Sequence, residues 1–443
     1  MPAAEAEAAG RRLLLIGINY APEETGIAPY TTEMAEHLAN TGWAVTVVTG
    51  MPHYPQWRVP EGYRGSWRAR EVRNGVDVRR FRHHVPAQQS AAGRVLYEIS
   101  FLLHALQAAD LGRPDVVMGI VPSLSGGVVA ALQARRNGVS FGLVVQDLIG
   151  RAAAQSGIPG GALAAGPAQW LETWVLRQAC GVAVVSDSFR AHVAGAGVDA
   201  ERIFDLPNWT HLAAANGHPR RDVADVRKTF GWTAGETVVL HAGNMGYKQH
   251  LDNLVSTARL AADAALPLRF VLLGDGSERV RLEVLARGLP TVQFLDLQPA
   301  ETFLEVLGAA DILALNERPT VLDMSLPSKI TSYFRAGRPL VAAVHPEGAT
   351  ARTLTDSGGA LVVPAGDPSA LLAALSRLHE DQALRHELAR RGSAHAKANY
   401  DRAASLAKAH RFLSTLADQG RRRPGADTAN AAQDRPGDTC RTP

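Results

Sequence analysis

The chain has 443 residues, 46% of them hydrophobic and 20% charged, with a formal net charge of +3. That length can bury two or three cores, and the near-neutral balance excludes a bulk electrostatic case for nucleic acid, so any basic surface must be local. No apolar run is long enough to span a bilayer, and the opening MPAAEAEAAG is acidic without a signal-peptide core. Cys180 and Cys440 lie far apart, which reads as a reducing cytoplasm and not a disulfide framework.

After a flexible start over residues 1–11, Arg12 to Ile18 (RLLLIGI) is a continuous aliphatic run suited to a parallel strand buried on both faces. The loop from Asn19 to Pro29 holds Gly26, and a helix follows from Tyr30 to Thr41 with Tyr30, Met34 and Leu38 on one face. Ala44 to Thr49 (AVTVVT) then completes a strand–helix–strand unit of doubly wound type, whose ligands bind at the carboxyl end of its first strand.

From Gly50 to Arg82 the regularity is lost. Tyr54, Trp57, Tyr63, Trp67 and Phe81 are interleaved with arginines from Arg58 to Arg82. The segment reads either as a solvated loop and edge strand or as a surface for an anionic acceptor or anionic lipid, with Arg64, Arg68 and Arg70 as the lipid contact. His53, Tyr54 and Trp57 are its candidate acceptor contacts. Ala91 to Leu111 predicts a helix whose Leu96, Ile99, Leu103 and Leu106 recur at helical spacing and are read as its core face, with interfacial insertion as the alternative. Strands at Asp115–Ile120 and Phe141–Gln146 flank a helix from Gly127 to Asn137. Asp147 follows, as a carboxylate that positions a sugar hydroxyl or acts as a base, or as a helix N-cap. Helix Ala168–Arg177, strand Val182–Val185, caps at Ser186 to Ser188 and strand Ile203–Leu206 close a first domain over residues 12–207.

Residues 208–236 read as a linker with a short helix at Asp222–Phe230. Alternation restarts with strands at Thr237–Ala242, Leu268–Leu273, Val292–Leu295, Ile312–Leu315, Leu340–Ala343 and Ala360–Val363, a second doubly wound domain over 237–400. Its opening, VVLHAGNMGYKQ, runs from a buried strand into a loop punctuated by Gly243 and Gly246, then into a helix from Gln249 to Asp263. Backbone N–H groups, the helix dipole and Lys248 would there meet a phosphate; the plainer alternative is an ordinary connection with a solvated lysine. The turn Gly274, Asp275, Gly276 would bring backbone close to the same ligand. Ser369–His379, Gln382–Lys397 and Arg402–Leu416 are helical, the last (401–417) able to brace the first domain, and residues 418–443 have the composition of a disordered tail.

The opening INYAPEETGIAPYTTEMAEHL, the segments TGMPHYP and VVQDLIG, the loops GNMGYKQ and LLGDGSE, and the late PSKITSYFRAGRPLVA together resemble a GT-B glycosyltransferase of the retaining family 4, in its WcaI-like colanic acid branch. The resemblance spans residues 12–400. It implies an α/β fold of two Rossmann-like domains facing across a cleft, with donor bound by the second, acceptor by the first, and C-terminal helices crossing back. It implies that Lys248 neutralises the donor diphosphate, whose departure builds charge that a preplaced cation stabilises, so that neither a metal nor another cofactor is needed. Gly26 and Ile27 would supply main-chain donors to the phosphates; Gly243, Asn244, Gly246, Gly274 to Gly276 and Phe294 to Asp296 would border the nucleotide. Ser325, Leu326, Pro327 and Ser328 would line the donor, with Lys329 as a second cation or as a solvated lysine at a helix start. Where many members carry an arginine this chain has Asn244, and where many carry two glutamates it has Met324 and Ser332, with Asp323 and Lys329 nearby.

The expected activity is metal-independent retaining transfer of a hexose-type sugar from a nucleotide diphosphate sugar to a polyprenyl-diphosphate-linked oligosaccharide, in surface polysaccharide assembly at the inner face of the cell membrane. A nucleotide-sugar 2-epimerase and a non-catalytic sugar-nucleotide binding protein are the alternatives.

Overall fold

The computed structural model describes residues 10–87, 90–148, 161–210, 221–322 and 327–421. They divide into two compact units, residues 10–207 with 403–421 and residues 208–402.

In the first unit β1 (Arg12–Ile16), β2 (Ala44–Gly50), β3 (Arg68–Arg73), β4 (Val76–Phe81), β5 (Val116–Val121), β6 (Ser140–Val145), β7 (Gly181–Val184) and β8 (Ile203–Asp205) form one sheet in the order β3-β4-β2-β1-β5-β6-β7-β8. The pairs are parallel except β3 with β4. The aliphatic runs make the central strands because both faces are covered, so no polar alternation is needed. The arginine-rich stretch read as irregular holds the β3–β4 hairpin, closed at Asn74 and Gly75, both at positive φ.

Its helices are α1 (Ala28–Asn40), α2 (Ala91–Ala105), α3 (Leu124–Asn137), α4 (Gly161–Gln178) and α5 (Asp187–Gly195). α5 stands where only caps were expected. The core face of α2 also differs from the sequence reading. Tyr97, Phe101 and Ala105 are buried, whereas Leu96, Ile99 and Leu103 point to solvent. The terminal helix Arg402–Arg421 lies on this sheet, and residues 418–421, assigned to the tail, continue it. A Cβ at Gly142 would stand 2.6 Å from Leu416, and one at Gly181 2.9 Å from Phe412, so both glycines let the helix approach. The rest of the expected tail, including Cys440, lies outside the described residues.

In the second unit β9 (Thr237–Ala242), β10 (Leu268–Leu273), β11 (Val292–Leu295), β12 (Ile312–Asn316), β13 (Leu340–Val344) and β14 (Ala360–Pro364) form an all-parallel sheet ordered β11-β10-β9-β12-β13-β14. Alternate residues serve opposite cores: Leu240 and Leu313 pack on one face, Val239 and Ile312 on the other. Helices α6 (Val223–Thr229), α7 (Asp252–Asp263), α8 (Arg279–Leu285), α9 (Ala300–Ala309), α10 (Lys329–Arg335), α11 (Ala349–Ser357), α12 (Pro368–Glu380) and α13 (Gln382–Asn399) complete it. Both sheets are Rossmann-like, each with its strand order reversing beside its first strand.

Candidate functional site

In the second unit that reversal falls between β9 and β12, and the loops leaving their carboxyl ends form the ligand edge. Gly243 (φ +118°) turns the chain out of β9, and the loop after β10 presses directly on it. Met245 N–H donates to Asp275 O at 2.8 Å, and Glu278 N–H to Met245 O at 2.9 Å. A Cβ on Gly274 would lie 2.1 Å from Gly243 O, and one on Gly276 2.6 Å from Met245 O. These glycines are therefore required by packing of the two loops on each other, where the sequence suggested close approach to a ligand.

The helix after the loop starts later than expected. Residues Tyr247–Gln249 make a single 3-10 turn, His250 is left-handed at φ +47°, and α7 begins at Asp252. The Asp252 carboxylate takes paired bonds of 2.6 and 2.7 Å from Arg281, so a side-chain anion already occupies that helix start. Lys248 is instead held by β12. The Asn316 amide donates to Gln249 O (2.9 Å) and His250 O (2.7 Å), Arg318 N–H donates to Lys248 O (2.9 Å), and the Arg318 guanidinium lies 3.5 Å from the Tyr247 ring centroid. Lys248 thus rides on a turn clamped at the strand-order reversal.

A second amine reaches the same place from α10. Lys329 Nζ lies 3.1 Å from His241 Nε2 and would be 3.4 Å from a Cβ on Gly243. His241, 1% exposed, turns Nδ1 to Ala314 O at 3.2 Å. That carbonyl can only accept, so Nδ1 carries the proton and Nε2 accepts from the amine. Burial first, then the Lys329 charge, holds His241 neutral, well below the usual histidine range. One turn on, Tyr333 Oη accepts from Ala242 N–H (2.7 Å) and donates to Ala242 O (3.1 Å), pinning the last residue of β9. Burial pulls Lys329 down to about 7 against the attraction of Glu317, and Lys248 adds repulsion. Glu317, 3% exposed at the end of β12, is pushed up by burial and held down in part by both lysines. Two amines and a buried carboxyl thus share one electrostatic site.

Of the other expected donor residues, Asn244 folds its amide over the loop, where its Nδ2 would be 2.9 Å from a Cβ on Gly246. Asp275 Oδ1 accepts from Gly276 N–H at 2.8 Å. Pro327 O accepts from Ile330 N–H at 3.2 Å, and Ser328 is the N-cap of α10 without a side-chain capping bond. Asp296 pairs with Arg279 at 2.7 Å. Asp323, Met324, Ser325 and Leu326 lie outside the described residues. Ser332 is buried. The sequence reading missed His241, Glu317 and Tyr333. The polar HA ending an otherwise aliphatic β9 was the available signal for His241.

The first unit gathers the rest. Gly26 (φ +70°) lies against the Tyr54 ring, 3.1 Å from where its Cβ would be, and Ile27 is the N-cap of α1. Buried Glu23 accepts from His53 N–H (2.8 Å) and Tyr54 N–H (2.9 Å). His53 is 2% exposed, with Nδ1 at 3.0 Å from Met51 O and Nε2 at 3.1 Å from Tyr97 Oη. Its ring is therefore spent on packing, against its expected place as an acceptor contact. Tyr54 is pushed up to about 12 by burial, then by the Asp147 charge, which places Asp147 beside it. The stretch after Asp147 that would decide its capping role lies outside the described residues. Trp57 is half-buried and packs on the first unit's core, with Arg94 5.3 Å from its ring centroid. Among the described residues no group of three His, Cys, Asp or Glu side chains is placed to hold a metal ion.

Residues 25–209 match the glycosyl transferase 4-like domain, and residues 236–381 match the glycosyl transferases group 1. A protein of Escherichia coli K12 named as the colanic acid biosynthesis glycosyl transferase WcaI is 34% identical over 334 residues, 74% of this chain and 81% of that one. The chain belongs to the family 4-like glycosyltransferases. Solved structures agree on the fold. Sucrose-phosphate synthase from Thermosynechococcus elongatus matches with a TM-score of 0.71 at 18% identity, covering 92% of this glycosyltransferase and 100% of that chain. Anabaena HepE, in complex with UDP, matches with a TM-score of 0.67 at 16% identity, covering 92% and 100%. The glycosyltransferase therefore has the GT-B architecture of two Rossmann-like domains with C-terminal helices.

Proposed function

We propose that this glycosyltransferase binds a nucleotide diphosphate sugar on its second unit and transfers the sugar, with retention of anomeric configuration, to a saccharide hydroxyl in surface polysaccharide assembly. The acceptor is a growing oligosaccharide on a polyprenyl diphosphate, reached from the cytoplasmic face of the membrane. The observation that carries this reading is the Lys329 amine held against Gly243 at the strand-order reversal, within electrostatic reach of Lys248 on the neighbouring turn. In transfer the bond from the anomeric carbon to the donor phosphate breaks, both electrons leave with the nucleoside diphosphate, and the acceptor hydroxyl forms the new bond and loses its proton. Two preplaced amines stabilise charge growing on the leaving oxygen. The E. coli relative's name supports the polysaccharide assignment.

The test is turnover of nucleotide sugars with a bacterial lipid-linked oligosaccharide fraction. Release of nucleoside diphosphate with a product of unchanged anomeric configuration is expected. A product of inverted configuration would overturn the retaining assignment, and a sugar changed while still joined to its nucleotide would make the protein an epimerase.

A further inference from the structure

Helix α2 is apolar on two faces, and among the described residues only one is covered. Tyr97, Phe101 and Ala105 face the core. Val95 (48% exposed), Leu96 (49%), Ile99 (47%) and Leu103 (56%) form an outward row about 12 Å long at 1.5 Å per residue. Trp67, 63% exposed, extends the row at the helix end, edge-on to His104 at 5.6 Å.

The charged side chains seen against the Trp67 end of this row are arginines. The Arg82 guanidinium lies 4.9 Å from the Trp67 ring centroid, and Arg68 donates to Gln107 at 2.9 Å, just beyond the helix. The only acid between Arg82 and Gln107 is Glu98, and its carboxylate is turned inward, accepting from Ser123 Oγ (3.2 Å) and Ser125 N–H (3.0 Å). Arg70, which the sequence suggested as a lipid contact, is instead paired with Asp77 at 2.9 Å.

We infer that the outward face of α2, with Trp67 and the Arg68–Arg82 rim, docks on an anionic lipid bilayer. Four aliphatic side chains enter the acyl boundary, the indole sits at the headgroup level, and the guanidinium groups meet lipid phosphates. A second copy fits less well, because a self-paired face would bring two basic rims together. This surface deepens the proposed use of a lipid-carried acceptor, but its binding is measurable with neither donor nor acceptor present.

The experiment is flotation of the full chain with vesicles of phosphatidylcholine alone and with about a third phosphatidylglycerol. The wild type should float with the anionic vesicles and release in high salt. The triple variant Leu96→Ser, Ile99→Ser, Leu103→Ser should lose binding at least tenfold, and Arg68→Ser with Arg82→Ser should lose the preference for anionic vesicles. The altered side chains are all exposed, so unchanged circular dichroism and melting are expected and serve as the folding control. Undiminished flotation of the triple variant, or sedimentation showing that the face instead holds a dimer, would overturn the inference. Donor turnover persisting in that case would leave the transferase reading intact.

Discussion

If nucleotide binds at Lys329 as proposed, the lowered affinity of that amine for its proton gives binding a pH dependence of definite sign. The groups facing this amine are His241 on β9, Glu317 after β12 and Lys248 on the clamped turn. Its pKa falls from 10.5 to about 7, so near pH 8 about nine-tenths of the empty sites hold a neutral amine. An arriving diphosphate favours the charged form. Binding must then take up close to one proton, and above about pH 7 affinity should fall roughly tenfold, about 1.4 kcal/mol, per pH unit until the bound-state pKa is reached. Below about pH 7 the amine is already charged and this dependence vanishes.

The sign for folding is separate. The folded pKa lies below the unfolded one, so between about 7 and 10.5 the unfolded chain binds more protons and stability rises with pH. Lys329→Met should therefore stabilise the empty protein at neutral pH, by at most about 5 kcal/mol. The same variant should bind nucleotide weakly and with no pH dependence. Calorimetry from about pH 7 to 9, in buffers of different ionisation enthalpy, counts the protons. Wild-type affinity that stays level across this window with no proton uptake would refute the reasoning.

Two further substitutions test the scaffold. Gly274→Ala would place a methyl 2.1 Å from Gly243 O in a backbone at φ +135°, so the two loops must part. A loss of about 3 kcal/mol or more in urea unfolding is expected, with loss of nucleotide binding. Asn316→Ala removes two buried donations that hold the turn carrying Lys248. It should cost about 2 to 3 kcal/mol in stability, and the nucleotide Kd should rise about tenfold because the cation is no longer preplaced; an unchanged Kd in a folded variant would show that the clamp does not position Lys248.

What the sequence made legible follows from which interactions are local. Both parallel sheets could be read because each central strand is an uninterrupted aliphatic run, and β9, β10 and β11 have the ranges expected for them. The β3–β4 hairpin was hidden because an edge strand needs few apolar residues, and here arginines fill it. Helix α2 misled for the opposite reason. With aliphatic or aromatic residues on two faces, periodicity locates the helix but cannot say which face has a partner. At the candidate site, the loop alone was enough to single out Gly243 and Lys248 as candidates. The partnership of Lys329 with His241 depends on residues 88 positions apart, and the clamp on Lys248 on a strand some 66 positions later. Nothing in the local sequence encodes those encounters. The glycines of GDG were conspicuous, but which atoms approach them is a property of the assembled loops.

The central claim is that Lys248 holds the donor diphosphate, and a thermal-shift screen against UDP, GDP, ADP and dTDP with wild type and Lys248→Ala tests it most directly. At a hundred times Kd a nucleotide stabilises the folded state by about 2.7 kcal/mol. One nucleotide should raise the wild-type Tm by several degrees, and the variant should lose most of that shift. An equal shift in both proteins, or no shift with any of the four, would contradict the assignment.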